Sequence, residues 1–292
     1  MPDDPDPILL TGATGYVGSH LLTALLERGR SVRAMTRNPD RANFPQGVDA
    51  VKADAVSGEG LDDALAGCAT AFYLIHAMGK DGGDFADRDK QSAKNFGEAA
   101  KRAGVRRVVY LGGLAGTSEH LRSREETAKV LAQHGPQTVH ARAAMVIGDG
   151  SASFEIVRHL VRRLPAMIAP RWIDTRTQPI ALADAVNALI ECADADDPPP
   201  EVELGGADVL TYREMMARYA RLAGQRPRPI LKVPVLTPRL SSYWVALVTP
   251  VELGLIQPLV AGLGEELIVR HHPPAGINDD PMGFDDAVRA AL

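Results

Sequence analysis

A doubly wound parallel α/β sheet is the fold class this sequence predicts, and three observations predict it. Strand and helix patterns alternate over the first part of the chain. A glycine loop joins the first strand directly to the first helix. A further strand pattern returns after residue 200, late enough to extend an existing sheet.

The elements follow in order. Ile8, Leu9 and Leu10 form a short apolar run of the kind a buried parallel strand needs. Residues 12–18 are the glycine loop. Leu21, Leu22, Leu25 and Leu26 come next at helical spacing, and Gly29 ends that helix. A second strand is read at 31–36, a third at 48–53, a short helix at 61–66, and a fourth strand at 69–75. Phe85, Ser92, Phe96, Ala100 and Ala103 mark one face of a long helix. A fifth strand at 107–111, a helix at 122–133 and a sixth strand at 137–147 complete a Rossmann-type core. Residues 194–200, ending in three prolines, read as a surface loop, 202–206 as one more strand, and 212–223 as an amphipathic helix. From 226 on, the chain is proline-rich and irregular. The expected organisation is a dinucleotide-binding core over 1–150, to which 176–206 returns. A small, mostly helical substrate-side lobe is expected from 151–175 and 207–292.

Composition narrows the function. Of 292 residues, 45% are hydrophobic and 24% charged, the balance of a soluble globular protein. Thirty-two basic against 37 acidic residues give a net charge of −5, which weighs against nucleic acid as a partner. The two cysteines, Cys68 and Cys192, stand alone, without the spacing of a disulfide framework or a metal site. The acidic start of the chain lacks the basic and apolar regions of a signal peptide, so a cytoplasmic location is expected. The apolar stretch 245–263 is interrupted by Pro250, Glu252 and Pro258, so no transmembrane helix is read there.

The strongest chemical signal is Thr11-Gly12-Ala13-Thr14-Gly15-Tyr16-Val17-Gly18. Gly12 permits a tight turn, Gly15 lets the backbone approach a pyrophosphate, and Gly18 lets the helix pack closely on the strand. The helix start then offers free N–H groups and partial positive charge to phosphates. The end of the second strand decides between dinucleotides. It reads Ala34-Met35-Thr36-Arg37-Asn38-Pro39 and lacks the carboxylate that NAD sites place on the ribose hydroxyls. Arg37 offers a fixed planar cation for a 2′-phosphate, with Arg33 and Arg41 nearby, so NADP is expected over NAD. The competing reading of Arg37 is a solvated loop residue.

These residues resemble the atypical extended short-chain dehydrogenase/reductase family, and within it the NmrA-like, DUF2867-associated NAD(P)-binding branch. TGATGYVGSHL and AMTRNPDR carry the resemblance, with YLIHAMG at 73–79, RRVVYLGGL at 106–114, RAAMVIGDGSASFEI at 142–156 and RTQPIALADAV at 176–186. The resemblance implies further cofactor contacts. Asp54 and Ala55 would lie at the adenine, Ile75, His76 and Ala77 on the ribose side, and Leu111 and Gly112 at the nicotinamide end. His76 is equally readable as a strand-end histidine bonded to backbone.

The pattern then breaks. The family's Tyr and Lys, spaced YxxxK on the helix after the fifth strand, are replaced by His120 and Arg124. The serine position reads Gly112-Gly113, with Thr117 and Ser118 as alternative hydroxyls within reach from the loop. His120 is a candidate general acid with a pKa naturally close to neutral, and Arg124 a fixed charge near ribose or substrate. The same spacing also suits a solvated helix face. Three functions follow: an NADP-dependent oxidoreductase of a small or lipophilic carbonyl, enone or quinone-like molecule, a non-catalytic NADP(H)-binding sensor, or an epimerase or dehydratase with tightly held cofactor. On the substrate side, Arg158, Arg162, Arg163, Arg171 and Arg176 are an anion-attracting cluster or a solvated face. Trp172, Tyr243 and Trp244 are candidates for an apolar pocket. The stretch 241–249 reads as a helix covering a lipophilic substrate or touching a membrane surface.

Overall fold

The computed structural model describes residues 6–76, 85–232 and 238–292. Six strands of the main sheet are β1 (Ile8–Thr11), β2 (Val32–Thr36), β3 (Asp49–Lys52), β4 (Thr70–Tyr73), β5 (Arg107–Gly113) and β6 (Gln137–Ala143). The strand Glu201–Leu204 pairs with β6 and completes a seven-stranded sheet at that edge. From this edge the order runs Glu201–Leu204, β6, β5, β4, β1, β2, β3, with every pair parallel. Ile8 pairs with Val32 on one side and Thr70 on the other, so the strand order reverses at β1. A reversal of this kind opens a crevice at the C-terminal strand ends, where doubly wound sheets bind ligands.

Helices cover both faces. On one, α1 (Tyr16–Glu27) and a later helix, Leu182–Asp194, place Leu21, Leu25, Leu189 and Cys192 against Leu10 and Val139. On the other lie α2 (Leu61–Leu65), α3 (Phe85–Arg102) and α4 (Glu119–His134), packing Leu65, Phe96 and Leu131 on Leu9, Tyr73 and Tyr110. Both cysteines are buried and free. A third core gathers α5 (Ala152–Arg163), α7 (Tyr212–Leu222), α8 (Pro238–Val248), α9 (Leu253–Gly262) and α10 (Phe284–Ala290) around Phe154, Tyr219 and Ile256, with α6 being Leu182–Asp194 above. The late chain is not confined to that core, because Ile277 packs among the sheet residues.

Three expected boundaries shift. The sixth strand ends at Ala143, not Ile147, because β5 stops pairing at Gly113. Val146–Ile147 pairs instead with Ile180–Ala181. The helix expected at 122–133 begins at Glu119, since the Ser118 hydroxyl accepts from the Leu121 N–H as an N-cap. The helix read at 241–249 spans Pro238–Val248 as α8, and among the described residues two further helices follow it, with Pro250 falling between α8 and α9. Among the described residues, no helix is long and apolar enough to cross a membrane.

Candidate active site

The glycine loop is shaped by what it touches. The buried Thr11 hydroxyl accepts from the Leu74 N–H at 2.8 Å, which ties the start of the loop to the end of β4. Gly12 has φ +65°, and a Cβ there would stand 2.8 Å from the Leu74 carbonyl oxygen. A Cβ on Gly18 would stand 2.1 Å from the Gly12 carbonyl oxygen. Gly15 differs. It is the N-cap of α1, it has no side-chain cap, and a Cβ on it would meet only the Gly12 oxygen, at 3.1 Å. The first turn of α1 carries no acidic residue. An open helix start with this cradle fits a pyrophosphate, which its N–H groups at Tyr16, Val17 and neighbouring residues would bind. Thr14 is exposed beside it.

At the end of β2, where the sequence leads one to expect the adenine and its 2′-phosphate, one of the three arginines is engaged elsewhere. Arg37 lies exposed just past β2, with no side-chain partner among the described residues. Arg33 is not available beside it. Its Nε donates to Asp49 at 2.6 Å and its Nη1 to the Ala66 carbonyl at 2.7 Å. Asp54 closes a turn by accepting from the Val56 N–H at 2.8 Å. Ala55 is buried, and its carbonyl accepts from Asn95 of α3 at 3.0 Å, a tether the sequence reading did not find. Ile75 and His76 follow β4 at the crevice. Ala77 lies outside the described residues.

His120 and Arg124 stand one turn apart on α4, and the structure joins them to two further groups. Arg124 Nε donates to His120 Nε2 at 3.3 Å, and Arg124 Nη1 donates to the Leu111 carbonyl at 3.1 Å. His120 Nδ1 lies 3.2 Å from His76 Nε2, and His76 Nδ1 lies 3.2 Å from Asp89 Oδ2. A guanidinium only donates, so the tautomers follow in sequence. His120 Nε2 is an acceptor, its Nδ1–H donates to His76 Nε2, and His76 Nδ1–H donates to the Asp89 carboxylate. One directed chain therefore runs from cation to anion through two neutral imidazoles.

Electrostatics agrees with that assignment. Burial, then Arg124, pushes the His120 pKa down to about 3. His76 is lowered by burial and by Arg124, with Asp89 opposing. The neutral-range pKa expected for His120 is thus moved far below neutrality. Asp89, a buried acid on α3, was missed although a signal exists, since it falls on the same stripe as Ser92 and Phe96.

The serine position has its own explanation. A Cβ on Gly112 would stand 2.0 Å from His140 Nε2. His140 is buried, stacked on Tyr110 at 5.2 Å, and neither ring nitrogen has a partner among the described residues. Ser118 is occupied as the α4 cap, and the Thr117 N–H donates to Glu265.

Beyond these residues a cavity of about 330 Å³ opens between the sheet and the third core. Leu111, Gly112, His120, Arg124, Trp172 and Val245 are among its walls, and Arg124 is the one charged side chain among the described lining residues. Tyr16 also reaches it. Its hydroxyl is buried without a partner among the described residues, and burial, with Asp149 and Glu155, pushes its pKa up to about 12. None of the described arginine side chains of 158–176 lines it. Arg158 pairs with Asp149 and Glu155, and Arg176 with Glu266.

An NAD(P)H-binding family profile matches residues 12–159, half of the chain. The chain belongs to that family. This NAD(P)H-binding protein is 34% identical over 112 residues to a 3-beta-hydroxysteroid dehydrogenase of Mycolicibacterium neoaurum, a match covering 35% of this chain and 31% of that one. It spans about a third of the length of the curated relatives it matches. Among solved structures, a Citrobacter sp. triphenylmethane reductase complexed with NADP(H) superposes with a TM-score of 0.77 at 17% identity, covering 98% of this chain and 100% of that one. An NADPH-dependent quinone oxidoreductase of Escherichia coli, complexed with NADPH, gives 0.74 at 21% identity, covering 97% and 98%. At these identities the likeness is one of fold. The family shown is the NAD(P)H-binding one; the curated relatives, matched over about a third of the chain, carry dehydrogenase and reductase names, and the matches do not single out the NmrA-like branch.

Proposed function

We propose that the protein is an NADP-dependent reductase of a lipophilic carbonyl, enone or quinone-like compound. One observation carries this reading: an apolar cavity with a single fixed cation among its described lining residues, Arg124, opens beyond the C-terminal strand ends. Apolar walls select a lipophilic substrate, and a lone guanidinium in such walls favours an oxygen that gains negative charge.

Gly12, Thr14, Gly15, Tyr16, Val17 and Gly18 would hold the pyrophosphate, Arg37 the 2′-phosphate, Asp54 and Ala55 the adenine, and Ile75, His76, Leu111 and Gly112 the far end. Bound there, the reduced cofactor supplies a hydride. Arg124 meets the charge that develops on the substrate oxygen. A guanidinium keeps its proton throughout, so the oxygen takes its proton from another donor, a water or a hydroxyl at the cavity such as that of Tyr16 or Ser118. His120, with both ring nitrogens engaged, holds the guanidinium at Nε. His76 and Asp89 hold His120 in turn. The roles expected from the sequence are therefore redistributed, with Arg124 as the catalytic group and His120 as its positioning residue.

The test is loss of NADPH absorbance across a panel of quinones, enones and hydrophobic ketones. Turnover with NADPH, and much less with NADH, is the expected result. Tight NADPH binding without turnover on any of them overturns it. A second reading, a non-catalytic NADP(H) sensor, would then lead. It is favoured by the absence of a titrating proton donor at His120 near neutral pH.

A further inference from the structure

A second cavity, of about 430 Å³, lies at the surface beside α8 and has no part in the reading above. No charged side chain lines it among the described residues. It shares Leu160, Trp172 and Met216 with the inner cavity, so those three side chains are walls of both spaces. Its outer rim is apolar and open to water, with Ile168 55%, Tyr243 57% and Leu247 84% exposed. Clustered apolar side chains left in water mark a surface that something covers.

The shape and continuity of this space identify the occupant. A flat docking face would have no reason to run inward to the walls of the Arg124 cavity. The space is concave, of ligand size, and continuous in its walls with the place proposed for the substrate's polar head. We propose that it is a tail subsite, holding the hydrocarbon chain of an amphiphilic carbonyl or quinone whose oxygen lies beside Arg124. The proposal rests on the reductase reading and adds to it that the substrate is long, polar at one end only, and threaded past Trp172. A substrate of this kind gains affinity with every methylene placed in the outer space, about fourfold for each.

The protein offers its own reporter. It has two tryptophans, Trp172 and Trp244, and both line the outer space, while only Trp172 also lines the inner one. A Trp172→Phe protein therefore reports from Trp244 alone. With NADPH bound, this protein is titrated with a long-chain methyl ketone brominated at its far end, since bromine quenches indole emission on contact. Saturable quenching is expected, a short-chain brominated ketone should give none, and Leu247→Asp should raise the half-saturating concentration about tenfold or more. Leu247 is open to solvent, so this change does not threaten folding, and an NADPH titration checks that the protein is intact. The assignment is overturned by absent quenching with the long ketone, or by unchanged half-saturation in Leu247→Asp. It is also overturned if only brominated phospholipid vesicles quench, which would make the surface a membrane face. Sedimentation showing that Leu247→Asp splits a dimer would overturn it as well. Quenching without turnover of any carbonyl removes the reductase reading and leaves the tail subsite standing.

Discussion

His120 Nδ1 donates to His76 Nε2 at 3.2 Å, and this bond fixes what the α4 histidine does. A histidine acting as general acid needs a pKa near the working pH and a free N–H toward substrate. His120 has neither, because its Nε2 accepts from Arg124 and its pKa is pushed down to about 3. The activity should therefore stay flat between about pH 5 and pH 8, where an unperturbed histidine would titrate. Arg124→Ala should lower kcat by about 10²–10³-fold, the scale for losing one oxyanion donor. His120→Ala should cost less, because it loosens the guanidinium without removing it. Arg124→Ala should also raise the His120 pKa, since Arg124 is one of the two main groups of forces lowering it, alongside burial. Proton NMR of the imidazoles reads that directly. A kcat that falls through a pKa near 6.5 in the parent protein would return His120 to the role of proton donor.

The fold was legible because its signals are local. Leu21, Leu22 and Leu25 declare their helix, and Gly12, Gly15 and Gly18 declare the loop, whatever lies elsewhere in the chain. The site was legible only in halves. His120 and Arg124 share a helix turn, so their spacing shows in sequence. His76 and Asp89 reach them from β4's end and from α3, and no sequence spacing records that meeting. The same holds for Gly112. Its neighbour Gly113 and the lost serine are visible in the sequence, but His140, the reason, comes from the next strand. In residues 226–292 the helical character is legible but the helix limits are not, because Pro250 separates two helices whereas Pro258 sits inside one.

The glycines of the loop divide by function. A Cβ on Gly18 would run into backbone at 2.1 Å, so Gly18→Ala should lower the stability of the whole protein. Gly15→Val places its methyl groups on the open side of the helix start, where the pyrophosphate approaches. Calorimetry should show no NADPH binding by Gly15→Val while circular dichroism and the melting temperature stay near those of the parent. Retained binding would show that the dinucleotide lies elsewhere.

Arg37 is the expected reader of the 2′-phosphate, and Arg33 does not share that role, because it is tied to Asp49 and to the carbonyls of Ala64 and Ala66. Arg37→Ala should weaken NADPH by about 1.5–3 kcal/mol, the scale of a hydrogen bond to a charged group, and leave NADH nearly unchanged. Parallel titrations with the two cofactors decide it. Equal losses would mean that Arg37 contacts something the two dinucleotides share.

Gly112 and His140 should prove energetically coupled. A Cβ on Gly112 would lie 2.0 Å from His140 Nε2, and the ring is stacked on Tyr110 with little room to retreat. Gly112→Ser, which restores the family's hydroxyl, should therefore destabilise the protein by about 1–3 kcal/mol, as overpacking does. His140→Ala alone should also cost stability, since it opens a cavity under α4, although it removes two buried nitrogens that have no partner among the described residues. Combined, the serine side chain occupies part of the space the ring vacates. The double variant should then be more stable than the sum of the single losses allows, by about 1 kcal/mol or more. Urea denaturation of the four proteins closes the cycle. Additive losses would mean that the backbone at Gly112 yields on its own, and that a glycine there has some cause other than His140. A coupled result would carry a further consequence for catalysis. The Gly112→Ser, His140→Ala protein would hold a hydroxyl at the end of β5, in the space the ring vacates, and comparing its pH profile with the parent's would show whether that hydroxyl enters the proposed proton transfer.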